Sequence, residues 1–275
     1  FIDGDGLATN EHGIELTGRT NCGIKNLAIQ TEDGGTKTSH CIFLDDGCND
    51  FLIDNVVIVD SDSDGIHIAG TNIVGGIISN CIIEDVDDHG IYVDVDAANT
   101  AARITIKNNR IAGAGNDGIY VGATGAGSPY WNIEGNNIVS STQNGMELYE
   151  LTLSNIVNNV IHTSTFHGMV LSTGSNHNNI EGNQCYNNVR HGIGIVDSTE
   201  NTLIGNTCNG NDSGNTNTYC GIHLQVCDYT TVVGNHCYDN DKDGICILRC
   251  SYCVITGNNC HENTQGDGIM ITGDG

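Results

Sequence analysis

The chain has 275 residues, of which 38% are hydrophobic and 5% aromatic, and its 34 Asp and Glu against 9 Lys and Arg give a net charge of −25. Such a surface should repel nucleic acid and anionic membranes, and no stretch approaches the roughly 20 apolar residues that span a bilayer. Apolar residues nevertheless recur with a strict period, so the low aromatic content does not indicate disorder.

The chain begins and ends inside a repeated pattern. The first residues, FIDGDG, already resemble the interior of a repeat, and the last, GIMITGDG, stop partway through another. We therefore expect residues 1–275 to form one domain that is a piece of a longer protein, without its signal peptide and caps.

The repeated phrase is Gly-apolar-x-apolar. With CIFL at position 41 filling one gap, it occurs eleven times at intervals of 23 to 29 residues. A second phrase, such as IDNVVI, IEGNNI or LIGNTC, follows in most repeats. Both phrases alternate apolar and other residues, as strands do, and Asn, Gly and Asp lie between them.

A short period with two or three strands in each unit is typical of a solenoid. The sequence predicts an all-β, right-handed, single-stranded parallel β-helix of about eleven coils, a rod roughly 50 Å long. A β-propeller would need blades of about 40 residues with four strands, and a left-handed helix would need a six-residue period that this sequence lacks.

The phrases GIxI and N-x-I-x-GN resemble the repeat of the pectin-lyase-like superfamily, also called carbohydrate-binding and sugar-hydrolase (CASH) domains. The resemblance covers the whole chain and implies the fold, although lyases, hydrolases, epimerases and tailspikes share it. Within it, NNVRHGIGIVDSTEN resembles a coil of mannuronan epimerase catalytic modules and implies that Arg190 and His191 line a substrate groove. The epimerase motif Tyr-Gly-x-Asp-Pro-His is absent, and NGMELYE places Glu147 and Tyr149 where its Asp and His would fall.

Thirteen cysteines are present, and four of them occupy the same position in consecutive repeats: Cys185, Cys208, Cys237 and Cys260. Isoleucine holds this position in earlier repeats, so we expect these cysteines to be core residues. Stacked side chains about 4.8 Å apart are too distant for disulfides. A metal-thiolate site at Cys246, Cys250 and Cys253 is the weaker alternative, because CSYC has no clear second pair.

Two turns, DSDSDG and DNDKDG, read Asp-x-Asp-x-Asp-Gly. This spacing lets three carboxylates converge on one calcium ion, although no Glu closes the loop as in an EF-hand. Calcium is thus a candidate cofactor, against the alternative that these are solvated turn residues, and no organic cofactor is expected. The predicted calcium ligands are Asp60, Asp62 and Asp64 in the first turn and Asp239, Asp241 and Asp243 in the second.

In each Gly-apolar-x-apolar strand the x residue and its alternate neighbours should face solvent, forming ladders along the rod. Histidine, tyrosine and carboxylate are enriched there between coils three and eight. This pattern indicates a groove that binds sugar rings and moves protons, although a solvent-facing sheet is also polar by default. The candidate catalytic residues are His67, Tyr92, Asp94, Tyr120, Glu147 and Tyr149. The candidate substrate-binding residues are His89, Asp117, His167, Arg190 and His191.

Two functions remain open from the sequence. The first is an extracellular or cell-surface lyase or epimerase on acidic polysaccharides; hydrolysis is disfavoured because Asp94 and Glu147 should be roughly 12 Å apart. The second is a non-catalytic surface protein, such as an adhesin, a sheath component or a phage-type tail protein, that binds glycan or assembles as a homo-oligomer. The fold alone does not choose between them.

Overall fold

The structure, a computed structural model, describes residues 2–3, 11–31, 39–96, 103–124, 128–214, 216 and 218–273. One sheet takes a single strand from each repeat, and all its strands run parallel. Within the described residues this first sheet has eleven strands, which number the coils one to eleven: Ile14–Thr17, Ile42–Asp45, Ile66–Gly70, Ile91–Asp96, Ile119–Thr124, Met146–Tyr149, Met169–Ser172, Ile193–Val196, Ile222–Gln225, Ile245–Leu248 and Ile269–Thr272.

The remaining wall is a second parallel sheet, to which most coils contribute two short strands separated by a bend. Asn80 and Asn108 hold this bend with φ near 55°, and Gly135 holds it with φ 65°. These residue types adopt left-handed backbone at the lowest cost, which explains the Asn and Gly of the second phrase. The strands are Ile2–Asp3, Gly23–Thr31, Phe51–Ser61, Gly76–Ser79, Ile82–Val86, Ile104–Lys107, Arg110–Ala112, Asn132–Glu134, Asn137–Val139, Asn155–Val157, Val160–His162, Asn179–Glu181, Gln184–Tyr186, Thr202–Ile204, Thr207–Asn209, Thr231–Val233, His236–Tyr238, Val254–Thr256 and Asn259–His261. A two-stranded pair, Ser128–Pro129 with Leu151–Thr152, completes the set.

The register confirms the predicted coils and ladders. His67 pairs with Tyr92, Tyr92 with Tyr120, and Tyr120 with Glu147. The apolar residues on either side of them point inward and are buried in a continuous core of Ile, Leu, Val and Cys. Within the described residues no helix has the length and apolar character needed to cross a bilayer.

The cysteines confirm the core prediction. Cys185, Cys208, Cys237 and Cys260 lie in register on successive coils, and all thirteen thiols are free. The three cysteines of the alternative metal-thiolate site, Cys246, Cys250 and Cys253, are divided between two places. The Cys250 sulfur accepts the Cys227 amide N–H at 3.1 Å, whereas Cys246 lies on the first sheet.

Buried asparagines run the length of the second sheet as hydrogen-bonded ladders. Asn183 Nδ2 donates to Asn206 Oδ1 at 3.0 Å and to the Ile156 carbonyl at 2.8 Å. Its own Oδ1 accepts the amide and the Nδ2 of Asn159, both at 3.0 Å. Each amide side chain thus satisfies polar groups on two neighbouring coils inside the wall.

The glycine that opens each first-sheet strand is a packing requirement. A Cβ atom on Gly118 would lie 2.4 Å from Ile138 Cγ2 and 2.7 Å from the Gly145 carbonyl oxygen. We expect Gly118→Ala to lower the free energy of unfolding by about 1–3 kcal/mol, measured by chemical denaturation, because the coils must move apart. Gly194→Ala is the matched control, since its Cβ meets nothing closer than 3.8 Å. Equal losses in the two variants would contradict this account.

Candidate functional site

The corner before many first-sheet strands carries a side chain that accepts a hydrogen bond from the backbone of the next coil. The Asp64 amide donates to His40 Nδ1 at 3.2 Å. The Asn144 amide donates to Asp117 Oδ1 at 2.7 Å, and the His167 amide donates to Asn144 Oδ1 at 3.1 Å. Histidine, aspartate and asparagine all offer such an acceptor, which explains why these types alternate at the corner.

Asp64 is the centre of the N-terminal part of the site. Its buried carboxylate places Oδ2 3.1 Å from His40 Nδ1 and 2.7 Å from His67 Nδ1, and Oδ1 2.9 Å from His89 Nδ1. His89 also extends toward the next coil, with Nε2 3.6 Å from Asp117 Oδ2. We call Asp64 and its three histidines the Asp64 cluster. One acceptor at the corner is enough to bond the backbone of the next coil, so the fold alone does not explain three imidazoles around one carboxylate.

The Asp64 cluster couples a stabilised carboxylate to a strengthened base. Burial opposes ionisation of Asp64, but its contacts with the three histidines outweigh it and hold the Asp64 pKa well below its ordinary value. Burial also opposes the charge on His89, yet the hydrogen bond and charge of Asp64 raise the His89 pKa. His89 is therefore a stronger base than a free imidazole.

Two tyrosines stack beside the cluster on the outward side of the strands. The Tyr92 ring centre lies 4.7 Å from those of both His67 and His89, and 5.0 Å from that of Tyr120. Burial, together with a neighbouring carboxylate in each case, raises the pKa of Tyr92 and raises that of Tyr120 to about 12. Both phenols therefore stay protonated at neutral pH.

Asp117 and Glu147 extend the polar network over the next two coils. The Asn144 amide donates to Asp117, and Asn144 Nδ2 donates to Glu147 Oε2 at 2.9 Å. Burial and the charge of Glu147 raise the Asp117 pKa to about 6, and burial raises the Glu147 pKa. A chain of polar groups thus runs from Asp64 through His89 and Asp117 to Glu147.

The raised pKa of Asp117 makes stability depend on pH. Because folding raises this pKa from 3.8 to about 6, the carboxyl favours the folded state when protonated, below about pH 4. Stability then falls as the pH rises to about 6, by on the order of 2 kcal/mol. We expect Asp117→Asn to remove this part of the decline, measured as the free energy of unfolding at pH 4 and pH 7. An unchanged decline in the variant would contradict the assignment.

Arg190 and His191 lie at the other end of the enriched region. The Arg190 guanidinium lies 3.8 Å from the centre of the Phe166 ring, a cation–π contact. The His191 ring is buried and stacks on His167, with the ring centres 5.2 Å apart. Burial holds the His191 pKa well below its ordinary value and lowers that of His167 to about 4. Both imidazoles are therefore neutral at physiological pH.

Asp94 and Tyr149 lie on the ladder beside the tyrosine stack, on either side of Gly122. A Cβ on Gly122 would lie 2.8 Å from the Tyr120 ring, so the missing side chain makes room for that tyrosine. Asp94 and Tyr149 are partly exposed and flank the stack toward solvent.

The acidic turns do not converge as the spacing predicts. Asp60 is exposed while Asp62 and Asp64 are buried, and Asp64 is occupied by histidines. In the second turn Asp239 is exposed, Asp241 is partly buried, and Asp243 is buried. Within the described part of the chain, neither set of three carboxylates places its oxygens within 4.8 Å of one another. Calcium binding at these turns stays a prediction.

Other groups of ligand-type side chains do converge. In the described ranges, four sets of three place candidate ligand atoms within 4.8 Å of one another: His40, Asp64 and His67; Asp64, Asp88 and His89; His191, Cys220 and His223; and Cys220, Asp243 and Cys246. The first two sets share Asp64 and are joined by hydrogen bonds. The last two share Cys220 and combine sulfur with nitrogen and oxygen.

The sequence prediction missed Cys220 and His223. Extending the corner positions past His191 leads to Cys220 and then to Asp243, and the middle ladder places His223 beside Cys246. Comparing the two ladders in these coils identifies the group from the sequence.

The comparisons with known proteins agree with this architecture. Residues 95–216 match the family model described as a right handed beta helix region. The chain is a right-handed parallel β-helix. A second model, described as periplasmic copper-binding protein (NosD), matches residues 186–275 of this β-helix. No protein of curated function matches it significantly in sequence.

Solved structures similar to this β-helix share its fold at low sequence identity. The Dettilon tailspike protein has a TM-score of 0.75 and 19% identity, over 96% of this chain and 56% of the tailspike. The A-module of the Azotobacter vinelandii mannuronan C-5 epimerase AlgE4 has a TM-score of 0.68 and 14% identity, over 98% of this chain and 93% of the module. A variant of the periplasmic alginate epimerase AlgG has a TM-score of 0.57 and 14% identity, over 90% of this chain and 58% of AlgG. This chain thus spans little more than half the length of the tailspike and of AlgG.

Proposed function

We propose that this β-helix acts on an acidic polysaccharide outside the cytoplasm, as a lyase or epimerase that removes a proton from a sugar-ring carbon. The observation that carries the proposal is the Asp64 cluster with Tyr92 and Tyr120 stacked beside it on the outward face. Two of the structurally similar proteins are named as mannuronan or alginate epimerases, which supports a glycan substrate.

The residues divide into a base and an acid. His89, strengthened by Asp64, accepts the proton from the ring carbon next to the substrate carboxylate. Tyr92, whose phenol stays protonated, donates a proton in return. In elimination that proton goes to the departing glycosidic oxygen as a double bond forms. In epimerisation it goes to the opposite face of the same carbon.

The ladder also supplies a path for a long substrate. Arg190 lies at the corner of coil eight and Asp64 at that of coil three, so about five coil spacings, roughly 24 Å, separate them on one face. A sugar chain lying along the rod would cross Tyr120, Glu147 and Tyr149 before it reached His167, Arg190 and His191.

The test is turnover on a panel of acidic and neutral polysaccharides. Elimination is followed by new reducing ends and by the ultraviolet absorbance of new double bonds, and epimerisation is followed by exchange of the ring proton for solvent deuterium. We expect activity on at least one acidic glycan and a loss of about 100-fold or more in Tyr92→Phe. Tyr186→Phe is the matched control, because Tyr186 stacks on His162 in the second sheet. Equal loss in both variants would contradict the proposed site. Binding of a glycan without any turnover would instead identify a non-catalytic surface protein.

A further inference from the structure

The first sheet carries a second cluster, in coils eight to ten, of which the proposed glycan path includes only His191. Its members are the corner residues His191, Cys220 and Asp243 and the strand residues His223 and Cys246. Cys220, Asp243 and Cys246 are each no more than 2% exposed, and His191 is 7% exposed. Two thiols, two imidazoles and a carboxylate therefore meet at one sheltered place.

The distances within this cluster suit a bound ion. The Cys220 Sγ lies 3.7 Å from Asp243 Oδ2, and the ligand atoms of His191, Cys220 and His223 lie within 4.8 Å of one another. The ligand atoms of Cys220, Asp243 and Cys246 form a second set within 4.8 Å of one another, so Cys220 belongs to both sets. Metal bonds of about 2.0–2.3 Å to nitrogen and sulfur place neighbouring ligand atoms some 3.3–3.8 Å apart, so small side-chain rotations would close the group.

The cluster includes one buried ring nitrogen that has no hydrogen-bond partner. The Nδ1 of His223 is buried and has no hydrogen-bond partner, while the His223 ring stacks on His191 at 4.3 Å. A buried ring nitrogen left unbonded costs free energy that coordination to an ion would recover. In the preceding coil the residue that pairs with His223 is Gly194, which has no side chain to cover the His223 ring.

The other cysteine groups differ in chemistry. The stack of Cys185, Cys208 and Cys237 is buried among apolar core residues. The Cys227 and Cys250 pair bonds to backbone groups, and the sets of converging ligand-type side chains in the described residues do not include it. Neighbouring thiols therefore occur at several places in the chain. The cluster around Cys220 differs from the others because imidazoles lie beside its thiols.

We propose that Cys220, with His191 and His223 on one side and Asp243 and Cys246 on the other, binds one thiophilic metal ion, either Cu(I) or Zn(II). Thiolate and imidazole ligands select these ions over Ca²⁺ and Mg²⁺, which take oxygen. The site is independent of the Asp64 cluster, about five coils away, and it stands whether or not the protein acts on glycans.

The test uses the full chain, reduced and stripped of metal under anaerobic conditions. Cu(I) is titrated against a chromophoric chelator and Zn(II) is titrated by competition, with Co(II) as a spectroscopic probe of thiolate ligation. We expect one equivalent of Cu(I) or Zn(II) and a thiolate-to-cobalt charge-transfer band. Cys246→Ser and His223→Gln should each weaken binding by at least about 100-fold, because even an outer partner is worth 10- to 100-fold.

Cys250→Ser is the matched control, because it removes a thiol from the Cys227 and Cys250 pair, which has no imidazole beside it. The metal affinity of this variant should equal that of the unmodified protein. Circular dichroism of each variant separates loss of binding from loss of folding. Equal weakening in Cys250→Ser and Cys246→Ser, or no binding of either ion by the unmodified protein, would overturn the proposal. So would Ca²⁺ or Mg²⁺ bound in place of the thiophilic ions.

Discussion

Asp64→Asn is expected to lower turnover of the substrate polysaccharide by at least about 100-fold while the coil stays intact. Asparagine keeps the oxygen that accepts the His89 amide, just as Asn144 accepts the His167 amide three coils later. What the change removes is the negative charge that raises the His89 pKa. His89 then becomes a weaker base, and the base is the group on which the proposed reaction depends.

The matched control for this variant is Asp228→Asn. The Asp228 carboxylate likewise accepts a backbone N–H, that of Ser251 at 2.6 Å, but on a turn outside the site. The pH profile adds a readout that a purely structural role would not move, since the limb that reports the base should shift to lower pH in Asp64→Asn. Full activity in this variant, or an equal loss in Asp228→Asn, would show that Asp64 does not act through His89.

Asn183→Ala should give a large loss of stability for a single substitution in the second sheet. It removes four hydrogen bonds and takes away the partner of the Ile156 carbonyl and of the Asn159 backbone N–H, while Asn159 Nδ2 keeps only its bond to the Ile133 carbonyl. Each unsatisfied group costs about 1–3 kcal/mol, so a loss of about 4 kcal/mol in the free energy of unfolding is expected. Chemical denaturation measures the loss, and hydrogen exchange should place the increased opening in coils six to eight.

Asn155→Ala provides the comparison for that result, because Asn155 is exposed at a nearby strand start and lies outside the buried ladder. Its substitution should change stability by less than about 0.5 kcal/mol. A small loss in Asn183→Ala would mean that water enters the wall and replaces the lost partners.

The coils were predictable because each one obeys the same local rules. Ile66, Ile91 and Ile119 recur at one position, and parallel stacking of equivalent strands then determines which residues share a ladder. The contact of His67 with Tyr92, and of Tyr92 with Tyr120, follows from that register. The burial of Cys185 and Cys208 follows from the isoleucines that precede them in the same position.

The site was less predictable because its contacts join different ladders. In the sequence Asp64 is one of three turn carboxylates. In the structure its carboxylate contacts histidines from coils two, three and four. Cys220 follows the longest repeat, 29 residues after His191, which hides its equivalence at the corner. Side-chain direction at a corner depends on the neighbouring coils, and a linear pattern does not carry that information.

The most direct measurement is proton NMR of the protein with acidic polysaccharides in deuterated water. Removal and return of a proton at the carbon next to the carboxylate predicts that this ring proton exchanges for deuterium, or that signals of a new double bond appear. Both should disappear in Tyr92→Phe and persist in Tyr186→Phe. A glycan whose signals broaden on binding, with neither exchange nor double bonds at any pH, would contradict proton transfer at the Asp64 cluster.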